Sequence, residues 1–258
     1  MKHIISILLL FLVVYGKTFA QQPDSTEIKK LSKLRTESGV DPTRVQSKAS
    51  YSMLIYDPVV NPGRINNKFS MNIGISRWSF SAKYDIVTKL SPAEGNGFSS
   101  GSGDFRFSVL NAFFVKGKHA LAASAEFSVP TGAPGYGSQY FSLTPALTYS
   151  FTITPSLFFA IQPQYTFQLL KDPAYPNLGI LTIRTFLAKF TQSGYFFVFE
   201  PRPIYDFVNK KFDMIISPIL GKALGKGFNL LYLMEIPVTT SMYENTGILY
   251  QFGVNKSF

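Results

Sequence analysis

Hydrophobic and polar residues alternate along most of the chain, from about residue 49 to the last residue. In YFSLTPALTYSF (140–151), Phe141, Leu143 and Leu147 share one parity, and serine and threonine residues occupy most of the other. The segment YFFVFEPRPIYD (195–206) repeats the pattern. Because successive side chains of a β-strand point to opposite faces, each such segment is predicted to be a strand with one apolar and one polar face.

Twelve segments carry this alternation, and the first two are the least regular. At roughly 10–15 residues they exceed the usual strand of a soluble protein, which has about 5–6 residues. They match a tilted strand that crosses a bilayer, which needs about 9–11 residues plus an overhang. The predicted strands lie near residues 49–57, 66–75, 77–87, 103–115, 119–130, 140–152, 156–168, 178–190, 195–206, 212–222, 227–238 and 246–258.

The connections between these segments alternate in length. Those after odd-numbered strands are long, apart from FVNKK (207–211), and those after even-numbered strands are short, such as KGK (116–118). Outer-membrane barrels likewise alternate short periplasmic turns with longer outer loops. The alternation therefore predicts that both ends of the predicted barrel lie on the periplasmic side. The long Gly/Ser-rich connection 88–103 is expected to be mobile.

Six prolines fall inside predicted strands. Proline lacks the N–H group that a sheet ladder needs, so we expect β-bulges at these positions. The residues are Pro145, Pro163, Pro201, Pro203, Pro218 and Pro237.

The first 48 residues differ from the alternating part. Residues 1–20 combine a basic start at Lys2, an apolar run and a small residue at Ala20, which is typical of a cleaved secretory signal peptide. The apolar run is too short for a membrane-spanning helix, and an uncleaved anchor is the alternative interpretation. Residues 21–48 are polar and basic. A short helix over 26–35 is one option there, but a loosely ordered periplasmic leader is favoured.

Composition and charge narrow the class of protein. The chain has no Cys, which excludes disulfides and thiolate metal sites. Charged residues make up 16%, against about 25% in typical soluble domains, and there are 25 Phe. All 15 acidic residues and 23 of the 25 basic residues lie beyond residue 20, so the net charge there is about +8. We expect the basic residues to contact anionic lipid rather than nucleic acid, because an exported chain does not ordinarily meet nucleic acid.

These features predict an all-β fold, a transmembrane antiparallel up-and-down β-barrel of about twelve strands in the bacterial outer membrane. No apolar run beyond residue 20 is long enough for a membrane helix. Backbone groups in lipid need internal partners, so a sheet crosses a membrane only when it closes on itself. The barrel is assigned to residues 49–258 and the leader to residues 21–48. A soluble jelly-roll sandwich is the alternative.

The last predicted strand also has the features of a signal for insertion into the outer membrane. In TGILYQFGVNKSF (246–258), Tyr250, Phe252, Val254 and the terminal Phe258 fall on one parity. The segment resembles the closing strand by which outer-membrane barrels are recognised for insertion. That resemblance implies the barrel-insertion machinery as a partner.

A family resemblance covers about a quarter of the chain, residues 101–159. Gly103-Asp104 opens a predicted strand there, VPTG (129–132) closes the next, and a Gly-rich loop precedes a third. This stretch resembles the outer-membrane family named for a MetA pathway of phenol degradation, a set of transporter-like barrels. The resemblance implies passage of small compounds, hydrophobic ones included, and supplies no site residues.

Charged and amide side chains on the polar faces are expected to line the barrel lumen, because a charge that faces lipid is costly. We expect Arg106 diagonally near Glu126, and Arg184 level with Glu200 and Arg202. Two interpretations stay open: ion pairs that fill a narrow interior, and a polar path that selects solutes. The predicted lumen-lining residues are Lys83, Arg106, Glu126, Gln162, Gln164, Arg184, Glu200, Arg202, Asp206, Asp213 and Glu235.

The sequence offers little for catalysis. His3 leaves with the signal peptide, His119 follows a predicted periplasmic turn, and neither a GxSxG nor an HExxH motif occurs. We therefore predict no enzyme activity, no metal site and no cofactor.

The leading functional hypothesis is a passive channel or transporter for small solutes. A filled structural or accessory barrel that binds envelope proteins is the first alternative, and a lipid-modifying enzyme is the second. Expected partners are outer-membrane lipid, lipopolysaccharide, the insertion machinery and an unidentified small solute, with no nucleic acid.

Overall fold

The structure is a computed structural model that describes residues 25–57, 63–91, 97–171, 177–239 and 247–258. The signal peptide predicted for residues 1–20 lies outside these ranges, as do the first residues of the predicted leader. Within them, one helix precedes twelve strands. The elements are α1 (Ser25–Ser38), β1 (Lys48–Tyr56), β2 (Ile65–Ile75), β3 (Trp78–Ser91), β4 (Gly97–Lys116), β5 (His119–Val129), β6 (Tyr140–Thr154), β7 (Leu157–Lys171), β8 (Gly179–Phe190), β9 (Tyr195–Asp206), β10 (Lys211–Gly225), β11 (Phe228–Pro237) and β12 (Leu249–Ser257).

The twelve strands form one closed antiparallel barrel in which every strand pairs with its sequence neighbours and β1 pairs with β12. β1 and β12, which close the barrel, pair along their full length, from Lys48 opposite Ser257 to Tyr56 opposite Leu249. Closure leaves no free sheet edge, which is the condition for a sheet to lie in lipid. The predicted fold class and strand number are confirmed.

Connections at one end of the barrel are tight turns. Ser76 (φ 56°) and Gly117 (φ 60°) both adopt the left-handed backbone conformation that the primed turns of short hairpins require. We call this end, which also carries the start of β1 and the end of β12, the short-turn end. The opposite, long-loop end carries the remaining connections, including the four-residue one between β9 and β10.

Of the Gly/Ser-rich stretch 88–103, residues 88–91 and 97–103 belong to strands. β3 continues to Ser91 and β4 begins at Gly97, so the two strands form a long hairpin. Thr88 pairs with Ser100 in the ladder, and their hydroxyl groups lie 2.9 Å apart. The prediction of a mobile loop over 88–103 was wrong for 88–91 and 97–103, because cross-strand pairing outweighs the low strand propensity of glycine and serine.

The strand prolines do not produce the bulges that we expected. Register shifts occur elsewhere, for example between Asn111 and Phe114 of β4. Around Pro201 and Pro203 the β8–β9 ladder is interrupted, yet the same register resumes on both sides. An antiparallel residue sends its N–H group to one neighbouring strand only, so a proline removes a single bond and the remaining bonds keep the register.

The outer face of the barrel is apolar. Residues such as Phe69, Ile73 and Leu220 alternate outward on their strands and expose about half of their surface. Rings also gather outside near the short-turn end, where Trp78 stacks on Phe80 with centroids 6.3 Å apart. This surface suits a hydrocarbon environment with an aromatic belt at its boundary. In the described ranges, no helix is long and apolar enough to cross a membrane.

Helix α1 lies inside the barrel at the short-turn end. Two of its leucines, Leu31 and Leu34, are 4% and 7% exposed and pack in the same apolar cluster as strand residues of β7–β10. The helix ends where Gly39 (φ 68°) turns the chain back, and its N–H donates to the Thr36 carbonyl at 3.1 Å. The favoured interpretation of this segment as a loosely ordered leader was therefore wrong for residues 25–38.

Deleting Phe258 should reduce the amount of inserted barrel far more than it reduces the stability of barrel already folded. Its side chain is 79% exposed and its N–H donates to the Ser47 carbonyl at 3.0 Å, so little packing is lost. The measurement is the amount of heat-modifiable protein in the outer-membrane fraction, beside urea unfolding of barrel refolded in lipid. Phe258→Tyr, which keeps an aromatic ring, serves as the control, and normal membrane levels of the deletion would contradict the proposed signal.

Candidate functional site

The lumen has two chemically different sides at the short-turn end. Inward residues of β7–β10 form an apolar wall, whereas inward residues of β1–β4 and β12 are mainly serine, asparagine, glutamine and basic residues. The apolar wall consists of Phe158, Ala160, Phe186, Ala188, Phe190, Phe196, Val198 and Ile219. A helix with one apolar stripe fits such an interior in one orientation, with leucines toward this wall.

The alternation did not predict the apolar wall, because the inward-facing positions of every strand were expected to be polar. Phe158 and Phe196 are 0% and 1% exposed, and both occupy the inward parity. The sequence feature that indicates this wall is the occurrence of two adjacent phenylalanines on one strand, which makes the strand apolar on both faces. These pairs are Phe158-Phe159 and Phe196-Phe197. Apolar residues on both faces indicate burial on both sides.

Arg35 anchors the helix to the barrel. Its guanidinium donates to Asp41 Oδ2 at 2.6 Å, to Thr152 Oγ1 at 2.7 Å and to Ser150 Oγ at 3.0 Å. Its Cζ lies 4.1 Å from the centroid of the Phe158 ring. Burial lowers the pKa of Arg35, and the Asp41 carboxylate opposes that shift. The side chain stays charged and links the helix, the following turn and the barrel wall.

Polar residues of β11 and β12 bind the end of the helix. The Glu37 carbonyl accepts from Asn229 Nδ2 at 3.1 Å and from Ser257 Oγ at 3.0 Å, and the Ser38 carbonyl accepts from Asn255 Nδ2 at 3.2 Å. The last turn of a helix leaves such carbonyls without intrahelical partners. The barrel interior supplies those partners, so α1 is held at its carboxyl end as well as along its apolar stripe.

Four of the predicted lumen residues form one ion-pair network above the apolar wall, which we call the Glu200 cluster. The Glu200 carboxylate, with no exposed side-chain surface, accepts from Arg184 Nε and Arg202 Nε at 2.6 Å each. Arg202 also donates to Glu235 at 2.5 Å. Two arginines thus balance two glutamates, and the cluster carries no net charge.

Four further charged residues pair on the opposite side of the lumen. Lys83 donates to Glu126 at 2.5 Å, and Arg106 donates to Asp85 at 2.6 Å. Arg106 lies diagonally near Glu126, as expected, because Arg106 is opposite Ser128 and Glu126 is opposite Ser108. Glu126 nevertheless accepts from Lys83 of β3, and Arg106 pairs with Asp85. The bulge between Tyr84 and Ile86, which sets Asp85 beside the Gly103–Asp104 step, makes this pairing possible.

The remaining predicted residues have local roles. Gln162 donates to Thr148 Oγ1 at 2.9 Å and is 7% exposed, and Gln164 is half-buried on the same strand face. Asp206 accepts from Val208 N at 2.8 Å and caps the turn after β9. Asp213 accepts from Thr239 Oγ1 at 3.1 Å near the long-loop end. Both acids thus stabilise connections at the long-loop end.

A cavity of about 390 Å³ separates the turn after α1 from strands β1–β4. Two cations that the sequence analysis did not include, Lys48 and Lys68, line it together with Lys83 and Arg106. They were missed because the first two strands were the least regular and their inward parity was not assigned. We call these four residues the basic wall.

The loop between β5 and β6 bends into the long-loop mouth. Tyr136 lies against the lumenal face of Gly101, so closely that a Cβ at Gly101 would come within 2.7 Å of its ring. Its hydroxyl donates to Ser99 Oγ at 2.8 Å, and Lys89 Nζ lies 4.3 Å from its ring centroid. Asp104 holds the same loop by accepting from Ser138 N at 2.6 Å.

His119 lies outside the lumen. Its Nδ1 is 2.7 Å from the Tyr149 hydroxyl, and its ring centroid is 5.1 Å from that of Phe151, on the outward face at the short-turn end. Among the residues that the structure describes, no group of three His, Cys, Asp or Glu side chains could hold a metal ion.

Solved structures of outer-membrane channels have the same architecture. The KdgM porin matches with a TM-score of 0.59 and 11% identity, covering 82% of this chain and 99% of the porin. The NanC porin matches at 0.60 and 10%, covering 82% and 98%. The COG4313 outer membrane channel from Pseudomonas putida F1 matches at 0.62 and 9%, covering 83% and 96%. The chain has the fold of an outer-membrane porin barrel. At these identities the likeness concerns the fold.

Sequence comparison adds no narrower assignment. No protein-family model and no curated protein matches the chain. The resemblance of residues 101–159 to the phenol-degradation family is therefore not confirmed.

Replacing Glu200 by Ala should destabilise the barrel more than replacing Glu235 by Ala. The first change removes the fully buried carboxylate that Arg184 and Arg202 share and leaves Arg202 with Glu235 alone. Breaking a buried pair costs about 3 kcal/mol. The side chain of Glu235 is 27% exposed and has one arginine partner, so its loss should cost much less. Urea unfolding of both variants in lipid vesicles provides the comparison, and equal effects would show that the Glu200 cluster is not the stronger unit.

Proposed function

We propose that the protein is an outer-membrane channel for small solutes whose short-turn end is occupied by its own helix α1. One observation carries the proposal: a closed barrel encloses a cavity lined by hydroxyl, amide and cationic groups, with a separate helix at one end. A barrel that served only as a membrane anchor would not need a polar interior cavity. The porin and channel barrels that share its fold support the same proposal.

The lining of the cavity favours polar solutes. Its surface comes from residues such as Ser50, Ser70, Asn72 and Gln251. The resemblance to the phenol-degradation family implies hydrophobic compounds as well, but the apolar wall that would suit them is covered by α1. We therefore assign polar solutes to the cavity in the arrangement with α1 in place.

Passage through the short-turn end requires α1 to shift. The chain connects the helix to β1 through residues 39–47, and the Arg35–Asp41 pair ties the helix to the first part of that connection. Displacing α1 would expose the apolar wall and free Arg35 from Thr152, so the occupied arrangement is the more stable one. We propose that α1 limits the flow of solute rather than forming part of the barrel structure.

The outer membrane of a Gram-negative bacterium is the proposed location, with the short-turn end in the periplasm. On the outward face near that end, Lys222 Nζ lies 3.7 Å from the Tyr195 ring centroid and Lys256 Nζ lies 4.6 Å from that of Phe228. Lysines beside interfacial rings suit anionic headgroups. Lipid, lipopolysaccharide and the insertion machinery are the proposed partners, apart from the solute.

A structural or accessory barrel is the second candidate. The Glu200 cluster and helix α1 both fill lumen space, and this observation favours a closed interior. The position of His119, outside the lumen among aromatic rings, gives no support to a lipid-modifying enzyme.

Conductance of single barrels in a planar bilayer separates the two candidates. Leu34→Asp places a carboxylate against the apolar wall and should displace α1, so the conductance step should be larger than that of the wild type. Ile28→Asp is the matched control, because Ile28 lies on the same helix but is 40% exposed. Its conductance should equal that of the wild type.

Heat-modifiable mobility must show that each variant is a folded barrel. A folded Leu34→Asp barrel without conductance would overturn the channel proposal and favour the accessory barrel. Equal conductance steps in the wild type and both variants would support a channel but contradict the proposal that α1 limits the flow of solute.

A further inference from the structure

Basic residues collect on the outer surface of the short-turn end. Arg77, Lys118 and Lys226 lie in tight turns and are exposed. Four further lysines lie on the outward-facing side of β4, β8, β10 and β12, close to those turns: Lys116, Lys189, Lys222 and Lys256. We call these seven residues the outer basic ring. Unlike the basic wall, the ring faces away from the lumen.

No acidic residue balances the outer basic ring locally. Asp and Glu are absent from the five tight turns and from the five strand residues on either side of each turn. The turns are residues 76–77, 117–118, 155–156, 191–194 and 226–227. At the long-loop end, by contrast, Lys211 lies opposite Asp206 in the β9–β10 ladder. The outer surface at the short-turn end therefore carries positive charge that its own strands and turns leave uncompensated.

Three lysines of the ring repeat one arrangement around the barrel. Lys222 of β10 donates to the Ser193 carbonyl in the β8–β9 turn at 2.6 Å, and Lys256 of β12 donates to a carbonyl in the β10–β11 turn. Lys189 of β8 likewise donates to Ser156 Oγ in the β6–β7 turn at 2.9 Å. Each lysine thus turns its ammonium group from the lipid-facing surface toward the end of the barrel. In a membrane this places the charge at the depth of the lipid headgroups.

Lys222 and Lys256 flank the start of β11. Lys222 lies opposite Leu230, and Lys256 lies opposite Phe228. The ammonium group of Lys222 lies over the Tyr195 ring, and that of Lys256 lies over the Phe228 ring. In the described ranges the hydrogen-bond acceptor of each ammonium group is a main-chain carbonyl rather than a carboxylate. An ammonium group has three N–H donors, so both lysines retain donors for an anion.

The surface next to these ammonium groups is apolar. Leu220, Leu230 and Phe252 lie on the same outward face toward the middle of the barrel, and they expose 47–52% of their surface. A ligand that fits both parts of this surface has an anionic headgroup and a hydrocarbon chain.

We propose that the outer basic ring binds anionic glycerophospholipids of the periplasmic leaflet. The ammonium groups of Lys222 and Lys256 each pair with a lipid phosphate, because a charge-assisted hydrogen bond is stronger than a neutral one. The acyl chains lie along Leu220 and Leu230. The proposal goes beyond the channel, since it assigns a lipid partner and the residues that bind it. It rests on the proposed placement of the short-turn end in the periplasm and not on the passage of a solute.

A soluble anionic partner fits the ring less well. A cell-wall polymer or an acidic protein would reach the turn residues Lys118 and Lys226, which are exposed. Lys222 and Lys256, however, lie on strand faces whose other outward residues are apolar. A lipid contacts both the ammonium groups and these apolar neighbours, and a soluble partner does not.

Tryptophan quenching by brominated lipids tests the proposal, because the chain has a single Trp. Phe228→Trp in a Trp78→Phe background places the indole beside Lys256. In phosphatidylcholine vesicles, dibrominated phosphatidylglycerol should quench this indole more than dibrominated phosphatidylcholine at the same mole fraction. Lys256→Gln should lower the preference for phosphatidylglycerol by about fivefold, and Lys256→Arg should retain it.

A reporter at the opposite end of the barrel is the matched control. Phe212→Trp in the same Trp78→Phe background places the indole on the outward face at the long-loop end, where Phe212 is 50% exposed. The two brominated lipids should quench this reporter equally. Heat-modifiable mobility must show that every variant is a folded barrel.

Three results would overturn the proposal: equal quenching by the two lipids at position 228, an unchanged preference in the folded double variant Lys222→Gln and Lys256→Gln, or the same preference at position 212. The leaflet has its own test. A Ser193→Cys variant in cells should react with a membrane-impermeant maleimide only after the outer membrane has been opened. Reaction in intact cells would place the ring in the outer leaflet and overturn the assignment to glycerophospholipid in favour of lipopolysaccharide.

Discussion

The need to pair every backbone N–H and C=O group away from water governs this structure. A sheet meets it in lipid only by closing, and here β1 pairs with β12 along its whole length. Closure gives each strand one face toward lipid and one toward the lumen. Charged side chains therefore gather inside, where Arg184 of β8 and Arg202 of β9 each lie 2.6 Å from Glu200.

The lumen behaves as a second core with two sides. The apolar wall of β7–β10 binds the leucine stripe of α1, and the polar groups of β11 and β12 bind its carboxyl end. Arg35 joins these regions through Asp41 and Thr152. The cavity with the basic wall lies on the side that α1 leaves open. The helix thus both occupies the short-turn end and shapes the space in which a solute would bind.

Much of the barrel follows from the two-residue period of the sequence, because that period sets which side chains share a face. It predicted all twelve strands and the register that brings Arg184 to Glu200. It could not predict the position of α1, since a short amphipathic helix gives no sign of what it packs against. Nor could it predict the ion-pair partner of Arg106, which depends on a bulge in the β3–β4 ladder, or the inward positions of Lys48 and Lys68, whose strands alternate weakly.

Cysteine labelling measures the placement of α1 in the lumen most directly, since the chain has no native cysteine. Leu31→Cys and Ile28→Cys would each be treated with a membrane-impermeant maleimide in the folded barrel. Leu31 is 4% exposed and Ile28 is 40% exposed. The structure predicts rapid labelling at position 28 and protection at position 31 until the barrel is unfolded. Equal, rapid labelling at both positions in a heat-modifiable barrel would contradict a helix packed against the apolar wall.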